Sequence, residues 1–150
     1  MKAPMRFSYF LLMIIGISGC DLLERPEMSY VNMTEAIEHG AIDRGWVPEW
    51  IPAQATNIRE IHDIDTNESM MAFDLPNTVD WRLPNGCKLI SYSELRQPRF
   101  SRNWWPSNSE LKRSYIFHQC PGDDPWTKNF VWVARHKTGG KALHWRAHAL

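Results

Sequence analysis

The strongest pattern along the chain is an alternation of period two near its end. Leu143, Trp145 and Ala147 interleave with Ala142, His144, Arg146 and His148, the spacing of a strand with one apolar face and one wet face. Just upstream, Phe130, Trp132 and Ala134 alternate with Val131 and Val133. Both sets are apolar, so this segment belongs in the middle of a sheet. Thr138-Gly139-Gly140 predicts the hairpin turn between the two. Tyr115–Cys120 is a third aromatic and β-branched segment.

The middle of the chain is less regular. Thr56–Ile64 and Met70–Leu75 are expected to form a hairpin over Asp65-Thr66-Asn67-Glu68. Ile58, Ile61 and Ile64 recur every third residue, a spacing that also suits a helix. Leu83-Pro84-Asn85-Gly86 predicts a turn between two shorter extended segments. From Arg96 the chain reads as a long loop, with a helical turn from Ser107 onward.

Near the start of the domain, Thr34 is the expected N-cap of a short helix over Glu35–His39. Ala36 and Ile37 turn inward, and Gly40 sits at C′. A second helical turn over Ala41–Arg44 ends at Gly45, and Pro48 and Pro52 then impose an extended, turning path. Together these elements predict an α+β fold, with short N-terminal helices packed on a mainly antiparallel β-sheet.

The first residues carry a different pattern. Lys2 and Arg6 precede an apolar run over Phe7–Ile17, and Ser18-Gly19 are small, the anatomy of a secretory signal. As a helix the run would rise about 16 Å against roughly 30 Å of hydrocarbon, too little to span a bilayer. Ile17-Ser18-Gly19-Cys20 resembles the lipobox of bacterial lipoproteins. That resemblance implies cleavage before Cys20, acylation of Cys20, and a stable membrane attachment through more than one fatty chain. Asp21 then resembles an inner-membrane retention signal. The expected organisation is a signal peptide over 1–19, a lipid-anchored tether over 20–29 and one domain over 30–150.

Composition narrows the partners. The chain has 17 basic and 17 acidic residues, and loss of Lys2 and Arg6 leaves the mature part slightly acidic. Such a chain lacks the electrostatic bias of a nucleic-acid binder. With Cys20 taken by lipid, Cys87 and Cys120 form an even pair in an exported chain and are expected to be disulfide-bonded. The bond would close a loop of about 34 residues, worth about 4 kcal/mol in the chain-entropy picture.

A family resemblance joins these readings. Gly45, Trp46, Pro48, Ile51, Pro52, Ala55, Ile58, Asp65, Asn67 and Phe73 form a Gly-Trp-x-Pro, hairpin and Phe layout that resembles the YbbD head domain of small bacterial envelope proteins. The resemblance spans roughly Thr34 to Leu75. It implies an envelope location and transfers no catalytic residue.

Candidate chemistry is sparse. Asp63-x-Asp65-x-Asn67 is similar to the opening of a calcium loop, with Asp74 at the twelfth place. Glu68 stands where glycine is needed and the bidentate glutamate is missing, so turn formation explains the run. His118, His136, His144 and His148 lie in predicted strands, and Arg146 between two of them opposes a zinc ion. No metal or cofactor is expected. Trp46, Trp50, Trp104 and Trp105, with Arg99 and Arg102, are the candidate binding surface. The expected function is therefore a non-enzymatic, lipid-anchored binding domain on the periplasmic face of the inner membrane. Its partners would be membrane lipid through Cys20 and an envelope protein or glycan, with no nucleic acid. Two alternatives stand beside it: an enzyme acting on envelope glycan through Asp63, Asp65 or His144, and an immunity-type inhibitor lipoprotein.

Overall fold

A computed structural model describes residues 25–122 and 129–148. Cys20 and Asp21 lie outside the described residues. Seven strands form one antiparallel sheet: β1 (Glu27–Asn32), β2 (Thr56–His62), β3 (Ser69–Leu75), β4 (Lys88–Ile90), β5 (Tyr115–Cys120), β6 (Asn129–His136) and β7 (Gly140–His148). Their spatial order is β1-β2-β3-β7-β6-β5-β4. β7 is the joint of the sheet. It pairs with β3 from Ser69↔Arg146 to Leu75↔Gly140 and, on its other edge, with β6 from Asn129↔His148 to Arg135↔Ala142.

This architecture corrects the α+β expectation. Among the described residues, helix is confined to α1 (Met33–Glu38), α2 (Asn108–Ser114) and a 3-10 turn over Tyr92–Glu94. The segment expected to continue as a second helical turn is a series of turns instead. Gly40 and Gly45 both adopt left-handed backbone, with φ of +68° and +69°, and so interrupt any helix there. The sheet is covered on both sides mainly by irregular chain.

Local details also shift. α1 is capped by Asn32, whose Oδ1 accepts the Glu35 N–H at 3.0 Å, rather than by Thr34. The earlier start turns Met33 and Ala36 inward and leaves Ile37 58% exposed. β1 begins inside the segment expected to be tether and pairs along β2 from Glu27↔Ile61 to Asn32↔Thr56. In β2 the three-residue isoleucine spacing is that of a strand touching two cores. Ile58 is buried on one face and Ile61 on the other, and Ile64 is exposed in the turn beyond the strand.

Each face carries its own core. Residues 33–55 and 76–87 cover the first, around Tyr30, Ile58, Met71, Phe73, Trp81 and Val133. The loop over residues 92–105 and Leu111 of α2 cover the second, around Ile61, Met70, Phe117, Trp132 and Trp145. Trp105 meets Trp145 edge-on at 5.7 Å, and Trp145 stacks on Trp132 at 6.2 Å. Cys87 and Cys120 form a disulfide. It continues the β4–β5 ladder one step past Lys88↔Gln119 and ties the first cover to the sheet.

Candidate functional site

The face of β7 expected to be wet is buried. His144 has no exposed surface and Arg146 is only 4% exposed. The Gly45-Trp46-Val47-Pro48 turn accounts for this. Arg146 donates to the Gly45 carbonyl at 2.9 Å, Trp46 stacks on His62 at 5.6 Å, and Trp50 meets His144 edge-on at 5.4 Å. The Arg44 guanidinium lies over Trp46 at 4.3 Å. Trp46 and Trp50 thus seal a polar interior. At its centre stands Glu60, fully buried, with neither carboxylate oxygen hydrogen-bonded among the described residues. Burial pushes its pKa up to about 8, against the opposing pull of Arg44 and Arg146.

The opposite face carries a groove. A cleft of about 610 Å³ opens between the sheet and the loop that carries Trp104, Trp105 and Pro106. Ala72 and Leu143 line it as neighbours in the β3–β7 register, and Arg59, Asp74 and Lys141 line it with them. It continues into a second cleft of about 570 Å³ that shares Asp74, Glu110 and Lys141. A third, of about 460 Å³, lies across Trp104 and shares Asn57 and Arg59. Trp104 is the ridge between two of these spaces. Its indole N–H donates to Glu27 at 2.7 Å, and Arg102 donates to the other Glu27 oxygen at 2.7 Å. These contacts hold the Glu27 carboxyl below its ordinary pKa against the opposing effect of burial, so the brace is charged at neutral pH. The bulge in β2 shapes the opposite wall. Asn57 takes a left-handed φ of +50°, the register slips there, and its amide donates to Asp74 at 2.7 Å.

Of the six residues of the expected binding surface, the fold brings Trp104 and Trp105 to the groove and Arg102 to its brace. Trp46 and Trp50 lie behind the sheet. Arg99 is turned away and pairs with the buried Glu68 at 2.5 Å. The groove residues that pattern reading missed are Asn57, Arg59, Asp74 and Lys141. The alternation of β2 carries a signal for Arg59, since Glu60 and Arg59 must face opposite ways. The bulge that aims Asn57 has no sequence signature.

Other candidates have local duties. One Asp63 oxygen accepts the Thr66 N–H and the other Arg25, both at 2.9 Å, so the carboxylate is occupied in shaping the turn and holding the incoming chain. His136 stands edge-on to Tyr115 at 5.0 Å. His144 lies on the opposite face of the sheet, packed against Trp50.

The fold and the groove define a class: a disulfide-bonded domain built on one antiparallel sheet, with an open cleft beside one of its covers. Residues 24–74 match the family model of the YbbD head domain. That stretch includes β1, which the pattern of conspicuous residues had left out. No curated protein and no solved structure matches the chain.

Proposed function

We propose that this protein is a lipid-anchored envelope domain that binds its partner, without catalysis, in the groove beside Trp104. The carrying observation is that the chain enters at one end of the sheet while the two clefts that share Asp74, Glu110 and Lys141 open toward the other. Glu27, His62, Ser69, Asn129 and His148 share the entry end; Thr56, Leu75, Tyr115, His136 and Gly140 share the far end. Across seven residues of β3 this separation is about 20 Å, at roughly 3.3 Å per residue. From an acylated Cys20, the five residues to Arg25 reach at most about 18 Å. The entry end would then stay close to the bilayer and the groove would point away from it. The YbbD head domain and the Ile17–Cys20 sequence support the envelope location, and no helix among the described residues is long and apolar enough to cross a membrane.

Two measurements test this reading. Cys20→Ala should abolish metabolic labelling by palmitate and release the protein from membranes; continued labelling refutes the anchor. A photo-crosslinking amino acid at Asn103 or Lys141, both exposed, should give adducts in intact cells, whereas one at the exposed Asp80 should not. Equal yields from all three positions would discard the groove as the binding surface.

A further inference from the structure

We infer that the groove beside Trp104 recognises an unbranched, uncharged glycan chain, an inference that rests on the reading of this groove as a binding surface. Four features carry it. Trp104 is a half-buried indole standing between two clefts. Its N–H is already committed to Glu27, so what it offers is ring surface rather than a donor. The C–H-rich face of a pyranose packs on such a ring, and a brace that fixes the ring beforehand lowers the entropy lost on binding.

The polar lining is the second feature. Arg59, Asp74 and Lys141 from the sheet and Glu110 from α2 bring both signs of charge into the lining. A polyanion would meet Asp74 and Glu110, and a polycation would meet Arg59 and Lys141. A polyol meets no repulsion, and its hydroxyls both donate and accept. Third, the space is elongated. Two adjoining clefts share Asp74, Glu110 and Lys141, which suits several rings in a row better than one compact ligand.

Fourth, the Trp105 indole N–H and the Tyr115 hydroxyl belong to side chains that line the same cleft, yet neither has a hydrogen-bond partner among the described residues. Buried polar groups are nearly always paired. Both polar atoms are buried although their side chains line the cleft, and a shift of these side chains on seating a sugar ring would offer them to a ligand hydroxyl. A flat apolar ligand would leave both unpaired.

The test uses the detergent-solubilised full chain and a β-linked N-acetylglucosamine tetramer, read by isothermal titration calorimetry. The wild-type protein should bind it. Trp104→Ala should weaken binding about tenfold or more, and Trp104→Phe, which keeps a ring, should restore part of the loss. Because Trp104 also packs on the second core, Lys141→Ala at an exposed position is the companion variant. It should weaken binding several-fold with unchanged thermal unfolding. Trp46→Phe, behind the sheet, should bind like the wild type. No binding of the tetramer by the wild type, equal affinity of Trp104→Ala, or displacement of the tetramer by an extended peptide would each overturn the inference. Adducts from Asn103 or Lys141 in cells together with no sugar binding would sink the glycan and leave the groove as a binding surface.

Discussion

Glu60→Gln is expected to raise stability at neutral and alkaline pH, and to remove a pH dependence that the wild type carries. Glu60 is wholly buried between the sheet and the Gly45–Trp50 cover, and its carboxyl keeps its proton up to about pH 8. In the unfolded chain the same group ionises near its ordinary 4.5. The folded state therefore binds the proton more tightly. The stability that Glu60 contributes is complete below about pH 4.5, declines as pH rises through the window to about 8, and is level above it. At 1.36 kcal/mol per unit, the loss across that window is of the order of 5 kcal/mol. Glutamine has nearly the same shape and no proton to lose. Urea unfolding of the two proteins at pH 5, 7 and 9 should show a falling wild-type midpoint and a level variant midpoint on this account. Parallel pH profiles would mean that Glu60 is ionised in the folded protein, held by Arg44 and Arg146. Glu60→Leu adds a second check, because removing all polar atoms should also flatten the profile.

Glu60 also illustrates which parts of the structure were legible in the sequence. The three C-terminal strands were readable because their alternation is long and their residues are aromatic or β-branched. The β2–β3 hairpin was readable from its turn residues. The pairing of β7 with β3 was not, since it joins residues 65 to 77 positions apart and leaves no local mark. Alternation identifies two faces of a strand but cannot say what covers them. His144 and Arg146 look like a wet face, and only the Gly-Trp-x-Pro turn folding over them makes that face interior. The same limit divided the tryptophans. Trp46 and Trp50 were paired with Trp104 and Trp105 by residue type, whereas the fold puts them on opposite sides of the sheet. Within the groove, the aromatic residues were visible in advance because they are rare, while Arg59 and Lys141 resemble any exposed strand residue until the register is known. The N-terminal strand was missed because Pro26 and its charged neighbours Arg25 and Glu27 resemble a linker, and β1 gains its definition by pairing with β2.

Replacing both Cys87 and Cys120 with alanine is expected to destabilise the protein by about 4 kcal/mol, the chain-entropy value for the loop they close. For a domain of this size that lowers the thermal midpoint on the order of 15 °C. The bond lies at a thin part of the structure. β4 has only three residues and is the last strand of its edge, and Leu89 beside it is 70% exposed. Cys120, by contrast, is buried against the first core. The disulfide therefore fastens a weakly paired edge to a well-packed strand, and with it residues 79–83, whose Trp81 packs edge-on against Phe73 at 5.4 Å and stacks on Trp50 at 5.8 Å. Hydrogen exchange should separate this local role from general loosening. In the double variant, amides of Lys88–Ile90 and of residues 79–83 should exchange first, while β3 and β7 at the centre of the sheet keep their relative order of protection. The groove lies on the other face and takes no residue from β4 or from residues 79–83, so ligand affinity measured below the new midpoint should be unchanged. Loss of protection spread evenly across all seven strands would show instead that the bond supports the whole fold, and that the two covers of the sheet are coupled through it.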